Sequence, residues 1–136
     1  MAVIKAGLIS VDIDKAATAA LYEGQTALDR RCFCPCCRNY IENIGRLDVS
    51  VREFFAALGI EVEKCAEAWP FLPGGKRHTQ LYRCLFPMVC TPLSDAELFS
   101  AENAETETVC RGLEIGIIKR EGYYILADME IRWTHS

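Results

Sequence analysis

The arm Leu113-Glu114-Ile115-Gly116-Ile117-Ile118-Lys119 turns through Arg120-Glu121-Gly122 into Tyr123-Tyr124-Ile125-Leu126-Ala127-Asp128-Met129-Glu130-Ile131-Arg132-Trp133. Its reading decides the fold class. Leu113, Ile115 and Ile117 recur every second residue, as do Tyr123, Ile125, Ala127, Met129, Ile131 and Trp133. Asp128, Glu130 and Arg132 fall on the other side. A period of two across a short polar turn predicts an antiparallel hairpin with one face in the core.

Working outward, Leu81 to Cys90 alternates in the same way, with Tyr82, Cys84, Phe86, Met88 and Cys90 on one face. Pro87 has no N–H for a ladder and predicts an edge strand or a bulge. Leu8 to Ile13 reads as a further strand with Ile9, Val11 and Ile13 inward. The remaining periodic segments are helical. Asp14 caps Lys15 to Glu23, which Gly24 stops. Ser50-Val51-Arg52-Glu53 reads as a capping box flanked by a Val49–Phe54 staple. Val51, Phe54, Phe55 and Leu58 then form a core stripe that Gly59 closes, with Ile60 packing back. Val62, Cys65, Ala66 and Trp69 repeat the helical spacing until Pro70 ends it. Pro73-Gly74-Gly75 is a turn with a basic flank through His78. Its glycine pair lacks the full spacing of a phosphate loop. Ser94-Asp95-Ala96-Glu97 reads as the cap of a brief helix. Helices and strands segregate along the chain. This predicts one α+β domain over 1–136, with an antiparallel sheet of about four strands and short helices packed on one face.

Four of the eight cysteines crowd into Cys32-Phe33-Cys34-Pro35-Cys36-Cys37-Arg38-Asn39-Tyr40. Pro35 suits a first helical turn. Cys37, Tyr40, Ile41 and Ile44 then make one apolar stripe, and Gly45 offers a left-handed helix end. A second helix beyond Arg46-Leu47-Asp48 makes this a helical hairpin or corner. Cys34 stands one turn before Cys37, so a Cys-x-x-Cys pair lies at a helix N-terminus, where backbone N–H groups favour a thiolate.

A net charge of −4 supplies no basic field for nucleic acid. No run of eighteen apolar residues suits a membrane span. The N-terminal segment lacks the pattern of a signal peptide, so the expected compartment is the cytoplasm, where cysteines stay thiols or metal ligands. The five carboxylates between Asp95 and Glu107 read as a solvated face.

Cys34-Pro35-Cys36-Cys37-Arg38-Asn39-Tyr40, with Phe54-Phe55-Ala56-Ala57-Leu58-Gly59-Ile60, resembles a group of small bacterial proteins of unassigned function. These open on Cys-x-x-Cys-[Arg/Lys]-Asn-[Phe/Tyr], carry a helix ending in Leu-Gly-Ile, and close on a strand near an aromatic such as Trp133. The likeness covers the middle third and the last strand. It implies a bacterial α+β domain and no activity. Cys32, Cys36, Cys65, Cys84, Cys90 and Cys110 are extra to that pattern.

Three readings of the cysteines stand side by side. Buried thiols behave as small hydrophobes, and Cys65, Cys84 and Cys90 sit on apolar faces. Zinc takes four N/S ligands, and Cys34 with Cys37 supplies two. Cys32 and Cys65 are the candidates to join them, with Cys36, Cys84, Cys90 and His78 as further choices, although there is no second Cys-x-x-Cys. Thiol–disulfide chemistry would use Cys34 as nucleophile and Cys37 as resolving thiol, without the strand that precedes a thioredoxin-like pair. Other catalytic sets are incomplete. His78 and His135 stand apart, Asp12 and Asp14 lie in a strand and a cap, and Tyr123-Tyr124, Arg30, Arg31, Lys76, Arg77 and Arg83 read as surface or core. The expected function is a non-catalytic binding or interaction domain with an unidentified protein or small-molecule partner. Zinc stabilisation or a redox pair are the alternatives, and the strand at 81–90 suggests a homodimer edge.

Overall fold

A computed structural model describes residues 2–74, 78–95, 99 and 105–134. The α+β class stands, but the strands form two antiparallel sheets rather than one of four. The smaller has the order β1-β2-β5, from β1 (Ala2–Ala6), β2 (Ile9–Ile13) and β5 (Cys90–Pro92). The larger has the order β3-β4-β8-β7-β6, from β3 (Glu67–Pro73), β4 (Thr79–Met88), β6 (Glu107–Cys110), β7 (Leu113–Lys119) and β8 (Tyr123–Arg132).

The hairpin that decides the class pairs Leu113 with Met129 and Lys119 with Tyr123. β4 joins its other side, Tyr82 opposite Met129 and Phe86 opposite Ile125. The inward residues Tyr82, Cys84, Phe86, Ile115, Ile117, Ile125, Ala127 and Met129 are wholly buried. On the outer face Leu85, Ile118 and Leu126 make a small second cluster. Beside it the Arg83 Nε and Nη2 donate to the two Asp128 carboxylate oxygens at 2.9 and 3.0 Å.

β4 is therefore an interior strand, contrary to the expectation from Pro87. The proline is tolerated because β3 ends short of it. The last contact on that side is the Ala66 N–H to the Leu85 carbonyl, 2.8 Å, and Pro87 lies beyond. This also removes β4 as the free edge on which a homodimer contact was expected. Cys90 does not continue β4. The chain crosses at Val89 into the smaller sheet, and the buried Thr18 hydroxyl accepts the Val89 N–H at 3.0 Å. Thr18 belongs to α1 (Lys15–Glu23), whose cap is Asp14, accepting the Ala17 N–H at 2.9 Å. Sequence reading gives both ends of this helix.

The segment Val62 to Trp69 is not a helix. One 3-10 turn covers Val62–Lys64, and β3 follows as the outer strand of the larger sheet. Pro70 and Pro73 fit there because an outer strand leaves half its N–H groups unpaired, and a bulge lies between Pro70 and Leu72. The spacing of Val62, Cys65, Ala66 and Trp69 mimicked a helix by coincidence.

After α1 and before β3 the chain forms α2 (Leu28–Arg31), α3 (Pro35–Asn43) and α4 (Val49–Ala57). The corner joining α3 to α4 is a 3-10 turn, Ile44–Arg46, so Gly45 needs no left-handed conformation. The cap of α4 is Asp48, accepting the Ser50 N–H at 3.3 Å, so the helix starts ahead of the expected Ser50 cap. Gly59 at φ 78° closes it as expected. Its N–H reaches the Ala56 carbonyl at 3.1 Å and the Ile60 N–H reaches Phe55 at 3.0 Å, the paired bonds of a Schellman end. Phe55 packs on Phe86 with ring centroids 4.6 Å apart, seating α4 on the larger sheet. The turn at 75–77 and most of the expected helix after Ser94 lie outside the described residues. Phe99, beyond it, is buried edge-on against Tyr123.

Candidate metal centre

Pro35 opens α3, as the sequence predicts, and Cys34 takes the cap position usually held by a hydroxyl or carboxylate. Its Sγ accepts the Cys37 N–H at 3.4 Å. That backbone donor brings the Cys34 thiol down to about 7, helped by the Cys32 thiol beside it. Cys34 is exposed, whereas Cys37 is buried and burial pushes its thiol well up. Burial raises Cys36 as well.

Cys32 reaches the same spot from the other side. It ends α2, its N–H bonded to the Leu28 carbonyl at 2.9 Å. Arg31 holds that helix down. Its Nε donates to the Thr26 carbonyl and Nη1 to the Ala66 carbonyl, each at 3.3 Å, and Nη2 donates to the Cys65 carbonyl. This exposed arginine thus clamps three backbone carbonyls. The Sγ atoms of Cys32, Cys34 and Cys37 then lie within 4.8 Å of one another, with Cys32 and Cys34 at 3.3 Å. Three sulfurs on one tetrahedral zinc, at Zn–S of about 2.3 Å, stand about 3.8 Å apart. A set of Cys32, Cys34 and Cys37 able to hold a metal ion is thus present.

Cys65 does not join it. That thiol is wholly buried beside Tyr40, Tyr22 and Cys84, and burial pushes it up to about 12. It follows the Val62–Lys64 3-10 turn and precedes β3, in the core and apart from the three sulfurs. Cys36, next to Cys37 in sequence, is not part of the metal-ligating group. Among the described residues, His78, Cys84, Cys90 and Cys110 form no metal-ligating group with the three. His135 and the basic turn residues Lys76 and Arg77 are outside the described residues. Asp12 accepts the Ala2 N–H at 3.1 Å and Asp14 caps α1, so the two carboxylates serve separate ends of the backbone.

The hydrogen bonds that hold the cluster in place were not legible in the sequence, although Asn39 stood in the quoted motif and Tyr40 and Tyr82 on predicted apolar faces. Asn39 is wholly buried. Its side chain donates to the Arg132 carbonyl at 2.9 Å and to the Tyr82 hydroxyl at 3.3 Å, and accepts the Thr134 N–H at 2.8 Å. The Tyr82 hydroxyl in turn donates to the Cys36 carbonyl at 2.9 Å, inside the thiol-bearing turn. Asn43 bonds the Asn39 side-chain oxygen at 3.1 Å, and the Tyr40 hydroxyl donates to the Val62 carbonyl at 2.6 Å. The available signal was an asparagine pair at i, i+4 beside an apolar stripe, which a count of hydrophobic positions passes over.

Beside the sulfurs runs an open cleft of about 510 Å³, lined by Leu28, Cys32, Cys37, Ala68 and Trp69 with Arg31 and Glu67 at its edge. Among the described residues, no helix is long and apolar enough to cross a membrane. No family model, curated protein or solved structure matches the chain.

Proposed function

We propose that this is a cytoplasmic binding domain whose ligand is a thiophilic metal ion, zinc first among them, held by Cys32, Cys34 and Cys37. The convergence of three sulfurs at one helix mouth carries the reading. Thiolates are soft donors that select zinc and related ions over magnesium or calcium. The Cys34 proton leaves near neutral pH, and a bound metal would displace the thiol protons that remain. Three protein ligands leave a fourth position for water or for a donor brought by a partner, and the cleft beside Cys32 and Cys37 gives such a donor an approach.

Titration with cobalt(II), read by thiolate-to-metal charge-transfer absorption, tests the proposal. One equivalent saturates the wild type, Cys34→Ser and Cys37→Ser lose the band, and Cys65→Ser keeps it. Protein purified without chelator that holds no stoichiometric metal, and gives no such band, overturns the reading.

A second reading rests on the unequal burial of an adjacent pair, Cys34 exposed and Cys37 buried. In it the Cys34 thiolate attacks a partner disulfide and expels one partner thiolate, forming a mixed disulfide. The Cys37 thiolate then attacks the Cys34 sulfur and releases the second partner thiolate. The partner gains two electrons and the pair becomes a disulfide. Mass spectrometry after incubation with oxidised glutathione separates the readings. A Cys34–Cys37 disulfide favours redox chemistry, and retention of free thiols removes it.

A further inference from the structure

We propose a second binding site, independent of the cysteines, for a small multivalent oxyanion of the phosphate or polycarboxylate type. Three arginines far apart in sequence converge on one cavity of about 300 Å³: Arg46, Arg111 and Arg132. Arg46 ends the 3-10 turn after α3, and Arg132 is the last residue of β8. Arg111 occupies the two-residue turn between β6 and β7, where Cys110 pairs with Leu113 and Gly112 at φ 84° makes the bend. Leu47, Val51 and Ile131 supply an apolar lining.

Among the described residues, none of the three guanidinium groups is in an ion pair. Three guanidinium groups against two carboxylates leave the lining with a net positive charge, which an anionic occupant offsets. The two carboxylates have other partners. Asp48 accepts the Ser50 N–H at 3.3 Å, and Glu130 accepts the Thr79 hydroxyl at 2.6 Å. The guanidinium forks thus keep their donors for a ligand, and their planar geometry matches carboxylate or phosphate oxygens two at a time.

Two of the arginines are held at the backbone. The buried Asn39 amide donates to the Arg132 carbonyl, and the tight turn fixes Arg111. The backbone at these two positions is therefore set before a ligand arrives, and the side chains are what a ligand would order. The volume lies at the small end of ligand sites, about 300–1,000 Å³, and favours a compact anion over a polymer. A net charge of −4 points away from nucleic acid as the source of those phosphates.

The test is a two-dimensional amide NMR titration of the whole chain with sodium pyrophosphate and, separately, citrate, at ionic strength held constant with sodium chloride. Saturable shifts at Gly112, Arg46 and Asp48 are expected with at least one anion. Saturation by pyrophosphate alone assigns a phosphate-bearing ligand, by citrate alone a polycarboxylate, and by both the shared class. Arg111→Gln, at an exposed turn, lowers the affinity about tenfold. Shifts that never saturate, or that Arg111→Gln leaves unchanged, overturn the proposal as charge screening only.

Discussion

Replacing Asn39 by alanine tests whether one buried amide holds the thiol-bearing helix to the sheet. The side chain makes bonds of 2.8 Å to the Thr134 N–H and 2.9 Å to the Arg132 carbonyl, with longer ones to Tyr82 and Asn43. A net bond is worth about 1 kcal/mol, and a buried polar group left without a partner costs about 1–3 kcal/mol. Thr134 and Arg132 are exposed residues, so water can replace part of what they lose. Asn43 is buried and retains its bonds to the Asn39 carbonyl and Thr134 at 3.0 Å. The expected loss is therefore about 2–3 kcal/mol, less than the sum of every bond removed. Urea denaturation followed by circular dichroism, with chelator present, measures it. Tyr82→Phe, which removes one strong bond to Cys36, is the companion at about 1 kcal/mol. A loss below about 0.5 kcal/mol for Asn39→Ala, the range of an ordinary surface change, refutes the argument.

Gly59→Ala meets two penalties, a left-handed φ of 78° and a Cβ only 2.6 Å from the Lys15 carbonyl oxygen. It should cost at least about 2 kcal/mol in the same assay, and a neutral result would mean that α1 and α4 are free to separate there. Phe86→Ala empties a wholly buried site against Phe55 and should cost about 3–5 kcal/mol by thermal or urea unfolding. In metal-free protein, iodoacetamide labelling of Cys34 should rise with a midpoint near 7, well below the unperturbed thiol value of about 8.5. Because the folded pKa is the lower one, the linked stabilisation is complete above the unfolded value and is lost as pH falls through about 7. A labelling midpoint at the unperturbed value would show that the Cys37 amide does not hold the sulfur.

What sequence reading captures here is local. Asp14, Pro35 and Gly59 mark helix ends because each meets a requirement at its own position: a carboxylate for bare N–H groups, a missing N–H, a left-handed bend. The alternation from Leu113 to Ile131 is long enough to identify both strands and their buried face. The errors arise where distant chain decides. Whether Pro87 marks an edge depends on how far β3 runs along β4, and whether Ala66 to Trp69 forms helix or strand depends on its pairing with β4, distant in sequence. The Asp48 cap prevails over Ser50 without moving the buried Val51 and Phe55, so periodicity alone cannot choose between them. For the site, Cys32, Cys34 and Cys37 were legible because they are neighbours in sequence. The separation of Cys65 was not, since it follows from the path of β3.

The closeness of those three sulfurs along the chain has a thermodynamic consequence. Six residues span them, so a denatured chain carries nearly the same set of donors, tethered at high local concentration. An ion that grips both forms raises the melting temperature only by the difference in grip, and that difference comes from the Cys37 amide and the buried wall. Tight capture with little thermal protection is therefore the signature to expect of this centre, in contrast to zinc modules whose ligands come from opposite ends of a fold.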